Sequence, residues 1–127
     1  MYFWFTLFIG LNGLLLTLLG MNVSRCRMKH RVGNGDGGVA ELRHAIRAHG
    51  NAVEHCLLFA LLILALCLQG NASGLTGFLV IAFTGVRVLH ALSMLQARFK
   101  LRQLTAGGTY ALELLASLLV LSQALSG

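Results

Sequence analysis

The stretch Cys56-Leu-Leu-Phe-Ala-Leu-Leu-Ile-Leu-Ala-Leu-Cys-Leu68 contains no charged, amide or hydroxyl side chain. A run this long without a polar position fits neither the alternation of a half-buried strand nor the two-faced pattern of a soluble surface helix. It reads as a helix crossing a membrane. Composition extends that reading to the whole chain, because 57% of the 127 residues are hydrophobic and 11% are charged. Ordinary soluble domains run at about 25% charged. The contrast excludes a soluble domain, a disordered tail and a disulfide scaffold, and the unbroken apolar runs exclude a transmembrane β-barrel. The expected fold is an all-α integral membrane protein.

Outward from that stretch the chain divides into a four-transmembrane-helix bundle, with spans expected at about 3–23, 45–68, 75–96 and 106–125. Each span takes roughly 20 apolar residues, so residues 1–127 are expected to form a single membrane domain with no separate soluble catalytic part. Any chemistry must then come from the helices and the short loops between them. The first span lacks a positively charged leader and a cleavable small-x-small site, and is read as a retained anchor rather than a signal peptide. Two basic stretches, Arg25–Arg31 and Arg98–Arg102, are expected as loops, the first followed by the glycine-rich turn Gly33–Gly38 and the second leading through Gly107-Gly108 into the last span. The turn Gln69–Gly74 separates the second and third spans. There is no proline to kink any of them.

The ten Lys and Arg outnumber the four acids. In a soluble protein this balance would suggest nucleic acid, but in a membrane chain it reports orientation, and no nucleic-acid partner is expected. Both basic stretches fall on one side, and the Gln69–Gly74 turn carries no Lys or Arg. The basic loops are therefore expected in the cytoplasm and both termini on the opposite side, in the inner or plasma membrane if the cell is bacterial. Cys56 and Cys67 lie in an apolar run and read as small hydrophobes, while Cys26 reads as an ordinary loop thiol. No disulfide framework is implied.

The first span carries a seam of small residues, Thr6, Gly10, Gly13, Thr17 and Gly20. Such a seam lets helix backbones approach closely in lipid. Packing within one bundle is the preferred reading, with a neighbouring subunit left open.

An ionisable group at mid-bilayer costs about 2.5–3.5 kcal/mol on insertion scales, so each one asks for a reason. At roughly 100° per residue, Arg43, Arg47, Asn51 and Glu54 share a narrow face of the second helix, flanked by His55. They could pair with one another, or equally hold a small zwitterion bearing two carboxylates and an amine. Arg87, His90, Met94 and Arg98 share a face of the third span. Arg87 lies too deep to snorkel and needs an anion, with Glu54 or Glu113 the candidates. Glu113 itself reads as that partner more readily than as a proton relay. The glycine-rich turn lacks the Gly-Lys-Ser/Thr of a P-loop. His44, His49 and His55 point in three directions on a helix, and no metal site is expected.

The segment Gly33–His55, with Arg47, Asn51 and Glu54 opening the second of four spans, resembles the MAPEG family, the membrane-associated proteins in eicosanoid and glutathione metabolism. Arg87-Val-Leu-His90-Ala in the third span is similar to the family's pattern as well. The resemblance implies a homotrimer with a glutathione site at each subunit interface, on the cytoplasmic side. By position, Arg47, Asn51, Glu54 and His55 would contact glutathione from the second helix, and Arg87 and His90 from the third. Arg27 and His49 would reach in from the neighbouring subunit. The thiolate-stabilising arginine matches Arg102 first and Arg98 second. Glutathione would be a co-substrate, without a metal.

Activity follows as an expectation of the resemblance. A guanidinium beside the sulfur raises the thiolate fraction at neutral pH. The acceptor would be a hydrophobic electrophile or lipid peroxide partitioning from the bilayer, which makes the protein a glutathione-dependent transferase or peroxidase. The sequence departs from the family at His55 and Leu57, where an aromatic and a proline are usual, and at Leu92 and Met94, where a tyrosine is expected. These departures support a second reading, a non-catalytic lipid-binding or scaffold protein of the same fold. A small proton-coupled exporter has the right size, but would need an acid deep in an accessible helix, and the first span has none.

Overall fold

A computed structural model describes residues 1–71 and 73–127; Ala72, in the expected Gln69–Gly74 turn, lies outside them. The chain forms four helices, α1 Phe3–His30, α2 Ala40–Leu68, α3 Gly74–Leu95 and α4 Phe99–Ser126, and no strand occurs among the described residues. All four are long and apolar enough to cross a membrane. The protein is an all-α integral membrane protein. Its outer surface is what hydrocarbon requires, with Leu14, Leu18, Leu61, Phe78 and Leu114 all more than half exposed.

α2 and α3 form the centre of the bundle. Each touches all the other helices, whereas α1 and α4 flank them and make no contact with one another among the described residues. Three phenylalanines knit one half of the core: Phe59 and Phe83 stack at 3.8 Å and 7°, and Phe8 lies against both. Further along, Ala48, Ala52 and Ala91 let α2 and α3 approach closely around Leu19 and Met94. Cys26, Leu42 and Ala45 close the basic end, with Leu95 packed against them.

The helix ends differ from the expected loops. α1 continues through the basic stretch to His30. There Arg31 takes a left-handed conformation (φ 56°) and the Val32 N–H returns to the Arg27 carbonyl at 3.1 Å. α3 ends the same way at Ala97 (φ 54°), with Arg98 N–H donating to Ser93 O at 2.9 Å. These are Schellman reversals. They turn the chain so abruptly that α4 starts at Phe99, so Lys100, Leu101 and Arg102 are its first turn and Gly107-Gly108 lie inside it. The expected second basic loop is therefore helix.

The small-residue seam of α1 also departs from expectation. Thr6, Gly10, Gly13 and Thr17 are exposed, and a Cβ added at Gly10 or Gly13 would meet nothing within 4 Å. This part of the seam faces away from its own bundle. Only Gly20 packs inward, 3.3 Å from the His49 ring when given a Cβ.

Candidate functional site

The reversal at Ala97 brings the start of α4 beside the start of α2. Arg98 and Arg102 meet Arg47 and His44 around a cavity of about 210 Å³, walled by Ser93, Met94, Ala97 and Phe99. Three guanidiniums lining one small cavity suit an anionic ligand. Arg47 also borders a polar groove with Gly50, Asn51 and Glu54, again about 210 Å³, and a shallower hollow with Gly35, Asp36, Arg43 and Ile46. It stands where the three openings meet.

Of the two readings open for this face of α2, the ion-pair ladder does not form among the described residues. Arg43 reaches Asp36 at 3.8 Å, while Arg47 and Glu54 make no ion pair among the described residues. Both side chains are exposed on one groove. Opposite charges therefore line one groove without pairing to each other.

Arg87 is 1% exposed, the largest fully buried side chain of the protein. It pairs with neither expected carboxylate. Its Nη2 donates to Asn51 Oδ1 at 2.6 Å and its Nη1 to Thr109 Oγ1 at 3.3 Å, leaving Nε without a partner. Glu113 is engaged elsewhere, by His55 Nδ1 at 2.7 Å. One turn toward the basic end, His90 Nδ1 lies 2.8 Å from Thr105 Oγ1. That hydroxyl also lies 2.8 Å from the Leu101 carbonyl and 3.1 Å from that of Arg102.

Arg27 and His49, assigned by resemblance to the neighbouring subunit's site, are both engaged within their own chain. Arg27 Nη1 donates to the Gly35 carbonyl at 2.8 Å and to that of Val32 at 3.4 Å, securing the glycine-rich turn. His49 lies against Gly20. The histidines separate as their helical positions require: His44 on the cavity, His49 on α1, His55 on α4.

Outside the apolar spans, Glu41 gathers two cations, Arg25 at 3.2 Å and Lys29 at 3.0 Å, and the imidazole of His30 at 2.9 Å, tying the last turns of α1 to the first of α2. His30, Lys29 and Arg25 hold its carboxyl down at about 2. Cys26, expected as a loop thiol, is instead fully buried beneath this cluster.

Sequence reasoning overlooked Thr105 and Thr109, and weighed His44 only as a metal ligand. The two threonines stand four residues apart and Glu113 four further on, a spacing visible in the sequence.

The MAPEG family model matches residues 5–122, nearly the whole bundle. The chain belongs to the MAPEG family. Among curated proteins, this MAPEG chain is similar to the inner membrane protein YecN of Escherichia coli K12 and to its counterpart in Escherichia coli O6:H1. Each is 34% identical over 104 residues, covering 82% of this chain and 79% of the relative. No solved structure matches it significantly.

Proposed function

We propose that this MAPEG protein is a membrane-embedded glutathione-dependent transferase or peroxidase acting on hydrophobic electrophiles or lipid peroxides. The observation that carries the reading is the convergence of Arg47, Arg98 and Arg102 on one cavity beside the groove that holds Glu54. Glutathione bears two carboxylates and an ammonium. The guanidiniums suit the carboxylates and the thiolate, and Glu54 suits the ammonium. Arg102 is assigned to the sulfur, with Arg98 second. The apolar surface around the bundle admits the acceptor directly from lipid, where it is already concentrated.

The working form in this reading is a homotrimer. It would cover Glu54, an exposed carboxylate at the depth of the apolar span, and the outward seam of α1. The basic end faces the cytoplasm, where glutathione is held reduced. Conjugation of an apolar electrophile by the protein in detergent, lost in Arg102→Ala, tests the activity.

One observation favours the second reading, a non-catalytic lipid-binding or scaffold protein. Asn51 and His55, both expected on glutathione, are engaged with Arg87 and Glu113 inside the protomer. Tightly held lipid and no glutathione in native mass spectrometry would select that reading.

A further inference from the structure

The middle of the bundle holds an ionisable pair that the arginine cavity does not use. His55 of α2 and Glu113 of α4 meet at 2.7 Å. Glu113 stands well beyond Arg102 along α4, about 16 Å at 1.5 Å per residue. A sulfur held at Arg102 does not touch it. Neutralising Arg87 does not explain the pair either, since Arg87 is held by Asn51 and Thr109. Ionisable groups at this depth are costly to insert, and a pair with neither duty is a candidate site.

The pair is not sealed. The His55 and Glu113 side chains keep 17% and 10% exposure. Nδ1 of His55 is taken by Glu113, whereas Nε2 meets no partner among the described residues and, unlike Nε of Arg87, is not cut off from the surface. Tyr110, one turn before Glu113, sets its ring 5.6 Å from that of His55 at 71°, and is itself 62% exposed. Two aromatic walls thus meet in a corner that carries an unpaired ring nitrogen. Leu58 and Leu114 beside it are exposed as well.

The chemistry of this corner selects its ligand. Hydrocarbon supplies no water to satisfy Nε2, so the partner must come dissolved in the bilayer. Nε2 accepts or donates according to where the pair holds its protons. A hydroxyl answers both cases, whereas an ester, ketone or ether oxygen only accepts. The open tyrosine ring adds a preference for a second aromatic ring. We propose that His55 and Tyr110 bind a phenol dissolved in the bilayer, quinols included, with its hydroxyl on Nε2 and its ring against Tyr110. Glu113 is the positioning residue, orienting the imidazole through Nδ1. The site is separate from the glutathione cavity and stands whether or not the protein is an enzyme.

The test uses the full-length protein in detergent and equilibrium binding of three probes. These are 4-nonylphenol, 4-nonylanisole, in which a methyl replaces the hydroxyl hydrogen, and dodecanol, which keeps the hydroxyl without the ring. Affinities are expressed as mole fraction in the micelle, so that partitioning cancels. The wild type should prefer the phenol to the anisole about tenfold, and to the alcohol about fivefold. His55→Phe should abolish the first preference. Tyr110→Leu, a change at an exposed ring, should abolish the second and keep the first. Excess glutathione should leave the phenol bound. If His55→Phe does not assemble, wild type labelled with 15N-histidine carries the test, because the His55 Nε2 resonance should move with the phenol and not with the anisole. Equal affinity for phenol and anisole, a preference that survives in His55→Phe, an Nε2 resonance that ignores the phenol, or displacement by glutathione overturns the assignment. An alcohol held as tightly as the phenol overturns the ligand class. Absence of saturable binding also overturns it, and is the result expected if a second copy of the chain closes the corner.

Discussion

Arg87 is held across the bundle by Asn51, whose Oδ1 accepts from Nη2 at 2.6 Å, and not by a carboxylate. An amide can orient a buried guanidinium but cannot cancel its charge. The positive charge of Arg87 is thus available to whatever occupies the groove that Asn51 lines.

Removing that acceptor leaves a buried cation with one hydrogen bond fewer. Asn51→Ala should cost about 1.5–3 kcal/mol, read as a lower unfolding temperature in detergent. Asn51→Asp, which keeps the acceptor and adds an opposite charge, should be tolerated far better. Equal losses in both variants would contradict the assigned role of the Oδ1 contact.

Gly77 sits against the indole of Trp4, where an added Cβ would overlap the ring. Gly77→Ala should destabilise the α1–α3 contact by about 1–3 kcal/mol. Trp4 is the protein's one tryptophan, so its fluorescence reports the displacement directly. Trp4→Leu should rescue much of the loss, which a double-mutant cycle measures as coupling.

The outward seam of α1 gives a test of assembly. A large side chain at Gly13 meets nothing within its own protomer. Gly13→Leu should therefore keep the helical content of the wild type while lowering the mass of the assembly below that of the proposed trimer. A trimer of unchanged stability would remove the seam from the interface.

The carboxyl of Glu41 is lowered from 4.5 to about 2, first by His30 and then by Lys29 and Arg25. A depressed value means the contribution is present above pH 4.5 and is lost as pH falls toward 2. Hydrogen exchange in the last turn of α1 should accelerate over that window, and Glu41→Gln should remove the pH dependence. The effect should be small, since the cluster is solvent-exposed and screened by salt.

The helices were legible because apolar runs such as Cys56–Leu68 have no other stable state in a membrane. Their ends at the basic side were not. Arg31 and Ala97 adopt the left-handed conformation that favours glycine, so the stretches beside them read as loops. The depth of Arg87 announced a buried cation, but its partner depended on a competition invisible in one dimension. His55 captures Glu113, leaving Arg87 to an amide and a hydroxyl. Thr109 gave little warning because a threonine in a transmembrane helix ordinarily bonds back to its own carbonyls, as this one also does to Thr105 at 2.8 Å. Cavity residues such as His44 emerged only once the reversal at Ala97 set α4 beside α2.

The central claim is that the arginine-lined cavity binds glutathione and ionises its thiol. Titration of the purified oligomer with glutathione, following thiolate absorbance against pH, tests it most directly. The account predicts saturable binding with a thiolate midpoint well below the ordinary thiol value of about 8.5, and loss of that shift in Arg102→Ala. Absence of saturable binding, or a bound thiol that titrates as it does free in solution, would contradict it.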